Sequence, residues 1–492
     1  MIYVISVENK IKRELQNFWG HCHFHPTDAI EDAWGKQIIE RFRKDGAIQT
    51  VRMYAMLEDI VYMDEYGELC YDFRINDLRL DYMVEQGFNI LLSYNFMPEC
   101  LASDKNSTSN VCKNATRYKG KLINTSAPTD YALWEEVCYQ YTKHIVERYG
   151  VEVVSKWYLQ CWNEPDIAPF FLTKLGEDAV EPRLEEYCKL YTGFVKGVSE
   201  ASPKLRMGGM GLATSMYFLN GFLQYVKSND LRLDYISLHN YGMTPFGFKS
   251  GKAKFCVQNQ LDVYDEQMQV LTKNGFAHKE LVYDEWGAVT GGFVNRETVS
   301  ELMFRETEVF SAYYARLIHA FIHHNASISK MLICLSGQHE MTEDFSGFRN
   351  FFTLNFYAKP IYNAYILASK LKSGLVDITT SNPNIYAIPT KSEAGEYSVM
   401  LTYCSENFEE DLPELQEELT FGENIEGKRV RVYCIDKQTT NPYRLSERKD
   451  ASVSELREEG RLKPIMECQA KSGVAIPLSL TANCVYLIEV TA

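Results

Sequence analysis

The sequence predicts an α/β protein, a (β/α)8 TIM barrel carrying an accessory β-sandwich domain, and three observations lead there. Strand-like and helix-like segments alternate eight times over about 350 residues. After about residue 375 the pattern changes to short strands joined by polar loops, with no clear helical partner. A doubly wound open sheet would also alternate, but it usually has fewer units and often a Gly-rich phosphate loop, which this chain lacks.

In chain order, the strands are runs rich in β-branched and aromatic residues: Asn17–His25, Ile48–Met56, Asn89–Met97, Ser155–Trp162, Arg206–Leu212, Tyr235–Tyr241, Leu281–Trp286 and Lys330–Ser336. Segments with helical spacing follow them in turn: Glu31–Lys44, Ile75–Gln86, Trp134–Tyr149, Glu185–Ser199, Met216–Lys227, Val263–Lys273, Phe304–His324 and Pro360–Leu371. Beyond the barrel, Ile385–Ile388, Tyr397–Tyr403, Lys428–Ile435 and Val485–Val490 read as sandwich strands. Residues 2–10 read as one more strand that joins them, and the acidic stretch Glu406–Glu418 as a solvated loop. The expected units are 15–371 for the barrel and 1–14 plus 372–492 for the sandwich.

Composition narrows the function. Lys plus Arg number 51 and Asp plus Glu 66, so 51 − 66 gives a net charge near −15 over 492 residues. An acidic chain is a poor partner for phosphate backbones or anionic membranes. No apolar run reaches the roughly 18 residues that span a bilayer. The N-terminus turns charged too early for a signal peptide, so a cytoplasmic location is expected. Thirteen cysteines, without CxxC or zinc-finger spacing, read as buried reduced thiols. Sequons at Asn106, Asn114 and Asn124 carry no weight without a secretory signal. The 32 Tyr and 26 Phe suit a sugar-binding surface, although aromatics also fill cores.

In a barrel, chemistry belongs at the C-terminal strand ends. Strand two ends near Arg52 and Tyr54, and strand four in Trp162-Asn163-Glu164-Pro165. Strand six ends in His239-Asn240-Tyr241-Gly242, and strand seven in Tyr283-Asp284-Glu285-Trp286. Strands four and seven lie on opposite sides of a barrel mouth. Glu164 and Glu285 there can face each other across a bound sugar, as glycoside hydrolysis requires. The plain alternative for Asn163-Glu164-Pro165 is a helix start, with Asn as cap and Pro in the first turn. For Glu285 alone the plain alternative is an acidic loop residue.

A second cluster, His21-Cys22-His23-Phe24-His25, ends strand one, where period-two spacing sets three imidazoles on one face. That pattern resembles the first-strand metal pair of an amidohydrolase-type barrel. Such a barrel also needs His on strands five and six and Asp on strand eight. Strand five (Met207–Gly211) has no His and strand eight (Leu332–Ser336) no Asp, so no metal is expected. The histidines read instead as a polar rim. Gly208-Gly209 and Gly291-Gly292 lack the Lys-Ser/Thr of a phosphate loop, and Ser237 lacks a nucleophile elbow.

At these residues the chain resembles glycoside hydrolase family 39, the β-xylosidase and α-L-iduronidase family, from about Phe18 to Leu371. The anchors are Val154-Ser155-Lys156-Trp157 leading into Trp162-Asn163-Glu164-Pro165-Asp166, and Arg232 through His239. Phe96-Met97-Pro98 with Leu101-Ala102-Ser103, and Lys359-Pro360 opening the last helix, complete the set. The resemblance implies a retaining mechanism with Glu164 as acid/base and Glu285 as nucleophile, and no organic cofactor. It implies that Asn163 meets the 2-hydroxyl, that Arg52 supports the nucleophile, and that His239 and Tyr241 surround the same carboxylate. Glu164 should be protonated at rest through apolar packing and the field of Glu285, and Glu285 ionised.

The departures concern the substrate. Strand two reads Arg52-Met53-Tyr54 where the family commonly reads Arg-x-His, so Tyr54 replaces a sugar-contacting His. Strand eight lacks the Trp of the xylosidases, and Trp286 is the candidate for an apolar face. Asn240 and Tyr241 stand where the iduronidases have a Lys, while Arg349 falls near an arginine of the iduronidase pattern. His23 is expected on the rim of the same pocket. The expected function is an exo-acting retaining glycosidase with a glycoside or oligosaccharide as its partner. The alternatives are an α-L-iduronidase-like uronide hydrolase, a carbohydrate-binding barrel that has lost catalysis, and a metal-dependent hydrolase built on His21 and His23.

Overall fold

The computed structural model describes residues 3–24, 33–110, 122–251, 254–292, 294–335, 341–380, 382–448 and 450–492. Eight parallel strands close into a barrel in sequence order: β1 (His21–His23), β2 (Thr50–Tyr54), β3 (Asn89–Tyr94), β4 (Tyr158–Cys161), β5 (Met207–Leu212), β6 (Tyr235–Met243), β7 (Glu280–Val289) and β8 (Lys330–Cys334). Closure is made by β8 against β1, with Leu332 opposite His21 and Cys334 opposite His23. Closing the sheet leaves no unpaired edge, and both faces are covered, so the strands are almost wholly buried.

Eight long helices follow the strands: α1 (Ala33–Asp45), α2 (Arg74–Glu85), α3 (Tyr131–Tyr149), α4 (Val180–Ala201), α5 (Met216–Ser228), α6 (Gln258–Asn274), α7 (Glu308–His323) and α8 (Pro360–Ser369). Local chemistry starts and stops them. The Asp130 carboxylate accepts from the Ala132 N–H at the head of α3, and Ser215 accepts from Phe218 N–H at the head of α5. Pro360 takes the first turn of α8, where its missing N–H costs nothing, and Gly275 ends α6 in the left-handed region. All eight expected alternations are present. Asn163-Glu164-Pro165 starts no helix: α4 begins at Val180, and the tripeptide is an irregular turn at the end of β4.

The accessory unit has two sheets. One orders Ile378–Thr379, Tyr3–Val7, Leu415–Phe421 and Ile476–Leu480. The other orders Arg13–Glu14, Gly374–Leu375, Ile385–Lys391, Tyr397–Tyr403, Cys484–Thr491, Arg429–Ile435 and Pro464–Gln469. Ile5, Val7, Val399, Leu401, Leu419, Leu478 and Ile488 meet between them. The N-terminal strand Tyr3–Val7 runs parallel to Leu415–Phe421. Two details differ. Residues 406–414 are irregular, but Leu415–Glu418 belongs to a strand, because Glu417 tucks under the sheet while its neighbours point out. Two short helices, Pro442–Ser446 and Val453–Glu459, also lie within the unit.

The sandwich is anchored on α7. Asn441 Nδ2 donates to the buried Glu308 carboxylate at 2.8 Å, and Arg444 lies 3.3 Å from the same group. Arg13 donates to Ile322 O at 2.7 Å, and the Arg316 guanidinium lies over the Tyr386 ring. Among the described residues no helix is long and apolar enough to cross a membrane.

Candidate active site

The barrel interior is layered. Near its middle, Leu91, Tyr158, Tyr235, Val282 and Leu332 form an apolar plug. One inward step further along, two residues later on each strand, stand Ser93, Gln160, Ser237, Asp284 and Cys334. With His23, Arg52 and His239 they make a polar floor under the carboxylates.

Strand β7 contributes two consecutive inward carboxylates through a bulge. Tyr283 pairs with Leu238 and Glu285 with His239, so Asp284 is the extra residue. Tyr283 reaches outward to Gln267 on α6, and Trp286 stacks outward on Tyr314 of α7, centroids 5.7 Å apart. Asp284 and Glu285 between them both point in. A second irregularity, on β5, leaves Gly211 unpaired at φ 57°. A Cβ there would sit 2.4 Å from Gln160 Nε2 and 3.0 Å from Asp284 Oδ2, so only glycine fits. Glu164 itself adopts φ 48°, and its N–H donates to Gly211 O at 2.8 Å, which turns the side chain over the mouth. Asp166 fixes that turn by accepting from the N–H groups of Ala213, Thr214 and Ser215, each at 2.9 Å.

Glu164 and Glu285 face each other, with carboxylate oxygens within 4.8 Å. That spacing suits retaining chemistry, whose carboxyl groups stand roughly 5–5.5 Å apart, rather than inverting chemistry at roughly 6.5–9.5 Å. Their side chains are 13% and 9% exposed, so both are largely desolvated yet open to a ligand. Arg52 Nη1 donates to Glu285 Oε1 at 2.7 Å, and Tyr241 Oη donates to Glu285 Oε2 at 2.8 Å. His23 Nδ1 lies 3.4 Å from the same carboxylate. Arg52 also donates to Asn163 Oδ1 at 2.6 Å and Gln160 Oε1 at 3.3 Å, and it pairs with Asp284 at 3.0 Å. Asn163 Nδ2 keeps no partner among the described residues, leaving an amide N–H for a sugar hydroxyl.

The two carboxyl groups are pushed apart in acidity. Burial lifts Glu164 to about 7 despite the opposing pull of His239, with Glu285 adding to the rise. Burial also acts on Glu285, but His239, His23 and Arg52 outweigh it and hold its carboxyl well below the usual range. Burial alone would lower His239, but Glu285, Asp284 and Glu164 lift it to about 9, so it is an imidazolium at neutral pH. His239 Nδ1 stands 3.1 Å from Glu164 and 3.7 Å from Glu285. Below about pH 7 one protonated and one ionised carboxyl group thus share one opening.

Four expected residues take different roles. Trp286 belongs to the barrel–helix interface, against Tyr314 and Phe310, and offers no face to the opening. Arg349 donates to Cys334 O, to Val289 O at 2.8 Å and to Tyr241 Oη at 3.3 Å. All three of its nitrogens are engaged by protein, so it props Tyr241 instead of reaching into the opening. Tyr54 is buried against His23 and Phe96, with the Arg52 guanidinium 5.3 Å from its ring centre. His21 stays apart: burial first, and Lys330 second, push its imidazole well down, so it is neutral. His25 lies outside the described residues.

Among the described residues two groups, His23–Glu285–Cys334 and Glu164–His239–Glu285, bring ligand atoms within 4.8 Å. Both share Glu285, whose oxygens already pair with Arg52 and Tyr241, and the second contains an imidazolium. Burial and Glu285 lift the Cys334 thiol to about 12, so it is no thiolate. This donor set fits ion pairing, and His21 is in neither group, so His21 and His23 do not converge as a metal pair. Asp284, Gln160, Cys334 and Asp166 were not singled out from the sequence. Gln160 and Asp284 carry one signal, a polar side chain inside a buried strand.

Residues 3–477 match the family model of Glycosyl hydrolases family 39. The chain belongs to that family. A β-xylosidase of Caldicellulosiruptor saccharolyticus is 28% identical over 233 residues, 46% of this chain and 44% of that protein. An α-L-iduronidase of Canis lupus familiaris is 27% identical over 252 residues, 47% of this chain and 34% of that protein. The matched stretch therefore spans less than half the length of these curated relatives. A monomeric β-xylosidase from Caulobacter crescentus CB15 superposes with a TM-score of 0.80 at 18% identity, over 99% of each chain, a likeness of fold.

Proposed function

We propose that this family 39 protein is a retaining, exo-acting glycoside hydrolase that removes a terminal neutral sugar from a β-xyloside-like substrate. The observation that carries the reading is the pair Glu164 and Glu285, close enough for a single anomeric centre and held in opposite protonation states. In the first step Glu164 gives its proton to the glycosidic oxygen while a Glu285 oxygen bonds the anomeric carbon and the aglycone leaves. In the second step Glu164 takes a proton from water, the water oxygen bonds the anomeric carbon, and Glu285 departs as carboxylate. Asn163 Nδ2 donates to the 2-hydroxyl, a contact that tightens as the ring becomes oxocarbenium-like.

The relatives named β-xylosidase and α-L-iduronidase support a terminal sugar as the unit removed. Between a neutral sugar and a uronic acid, the arginines favour the neutral one. Among the described residues, Arg52 and Arg349, the guanidinium groups beside Glu285 and Tyr241, are both engaged by protein, and a buried uronate carboxylate needs a cation of its own. The proposed catalytic unit is 15–371, with 1–14 plus 372–492 as its accessory. The twelve cysteines of the described residues are free thiols, which supports a reducing compartment.

The test is a panel of aryl xylosides, arabinosides, glucosides, galactosides and uronides, together with a dinitrophenyl fluoroxyloside as trap. Turnover of a neutral glycoside and a covalent adduct on Glu285 are expected. Turnover of uronides alone would overturn the neutral-sugar reading. Binding without turnover or adduct would make the protein a carbohydrate-binding barrel.

A further inference from the structure

Asp284 is a fully buried carboxylate that neither chemical step uses. Its Oδ2 accepts from Gln160 Nε2 at 2.9 Å and pairs with Arg52 Nη2 at 3.0 Å. Its Oδ1 receives no hydrogen bond among the described residues and stands 3.8 Å from His239 Nε2. The other ring nitrogen of His239 faces Glu164 and Glu285. One imidazole therefore lies between three carboxyl groups, two that react and one that does not.

We propose that Asp284 is a positioning residue, a permanent counterion that holds His239 as imidazolium through both chemical steps. The inference rests on the retaining reading of Glu164 and Glu285. In the free enzyme Glu285 is charged and Glu164 is not. In the glycosyl-enzyme Glu285 is an ester without charge, and Glu164, having given up its proton, is a carboxylate. During the second step the water proton passes to Glu164 as the C–O bond to Glu285 breaks, so charge moves from one glutamate to the other. Of the three carboxyl groups around His239, Asp284 alone keeps its charge unchanged. A fixed imidazolium beside Glu164 stabilises the carboxylate left by the first step and the one consumed in the second.

The groups that face this pair make the arrangement specific. His239 meets Glu164 from the loop after β4, Asp284 and Glu285 from β7, and the Tyr241 ring from its own strand, centroids 6.1 Å apart. Asp284 meets Arg52 from β2, Gln160 from β4, and Tyr235 and His239 from β6. Burial, with Glu285 adding to it, raises its carboxyl above the usual value, and Arg52 and His239 limit that rise. The β7 bulge sets the two acids side by side: Asp284 follows the inward Val282 by two residues, and the register slip turns Glu285 inward as well. Gly211, with no side chain, closes over Gln160, Asp284 and Arg52 together.

The experiment is nitrogen NMR of histidine-labelled enzyme, free and trapped with the dinitrophenyl fluoroxyloside, with His239 assigned from a His239→Asn sample. In wild type, His239 stays an imidazolium at neutral pH in both states. In Asp284→Asn it loses its proton at a lower pH, most visibly in the trapped state, and turnover of a dinitrophenyl xyloside falls roughly tenfold, the equivalent of one pKa unit. Asp284→Glu, which keeps the charge, restores the imidazolium. A neutral His239 in the trapped wild type overturns the inference whether or not Asp284→Asn folds. An unchanged imidazolium in a folded Asp284→Asn does the same. If the trap leaves Glu285 unlabelled, the retaining reading fails, and this inference with it.

Discussion

Two layers inside the same barrel, one side-chain step apart, have opposite chemistry. Leu91, Tyr158, Tyr235, Val282 and Leu332 fill the lower layer, while Ser93, Gln160, Ser237, Asp284 and Cys334 stand two residues further along the same strands. Backbone geometry is common to both, so only side-chain type separates them. The lower layer gains from removing apolar surface from water and keeps the barrel closed. The upper layer buries charges at a cost, and tolerates it because each charge has a fixed opposite partner. The comparison teaches that stability and catalysis are stacked in this barrel, and that substitutions in the two layers should have separable consequences.

The sharpest break is expected in the upper layer. Glu285→Gln should lower kcat by about ten-thousand-fold or more, since no other group can form the glycosyl-enzyme. Differential scanning calorimetry should find the fold intact, and azide should partly rescue the Glu285→Ala variant with inverted product. Wild-type-like turnover in Glu285→Gln would remove it from the nucleophile role. Next, Glu164→Gln should cost roughly a hundred- to ten-thousand-fold on substrates with poor leaving groups, and much less on dinitrophenyl glycosides, which leave without a proton. A uniform loss across leaving groups would contradict the acid role.

The same residue sets a pH dependence. Glu164 must be protonated to act as acid, so kcat/KM should fall as pH rises through about 7. Its ordinary value is 4.5 and its folded value about 7. Between these values the native state holds a proton that the unfolded chain releases, and stability declines as pH rises across that window. Glu164→Gln should abolish both trends, as measured by pH–rate profiles and by denaturant unfolding at several pH values.

The lower layer gives the converse result. Leu332→Ala should destabilise the protein by about 2–5 kcal/mol in urea titrations, while kcat per folded molecule stays within a few-fold of wild type. A large loss of kcat with unchanged stability would mean that the plug takes part in shaping the site. The smallest effect is expected for Tyr241→Phe, which removes one hydrogen bond to Glu285 and leaves Arg349 without that acceptor. The expected loss is about tenfold in kcat/KM, corresponding to roughly 1.5 kcal/mol for a hydrogen bond to a charged group.

Much of this was legible in the chain itself, because local patterns encode it. Alternating apolar periods of two and near four give strands and helices in register with a barrel. The strand-end rule then puts Glu164, Glu285, Arg52, His239 and Tyr241 at one mouth. Where pattern and tertiary packing diverge, the reading failed for identifiable reasons. Strict alternation from the inward Val282 would turn Glu285 outward next to Asp284, and the bulge on β7 brings both inside. Trp286 beside the nucleophile looked like a sugar platform, but the same strand geometry turns it to the helices. Leu415–Glu418 looked like an acidic loop, because its glutamates mask a strand that pairs with the N-terminal strand on one side and Ile476–Leu480 on the other.

By itself, then, the sequence determined the architecture and the chemical types present at the mouth, since both follow from short-range periodicity and from which residues end each strand. Only the tertiary structure decided which of those groups share charge. Whether Arg349 meets a ligand or props Tyr241, and whether Asp284 faces the helices or His239, depends on contacts between strands far apart in the chain. Electrostatic energy falls with distance between side chains in space, and separation along the sequence does not report that distance.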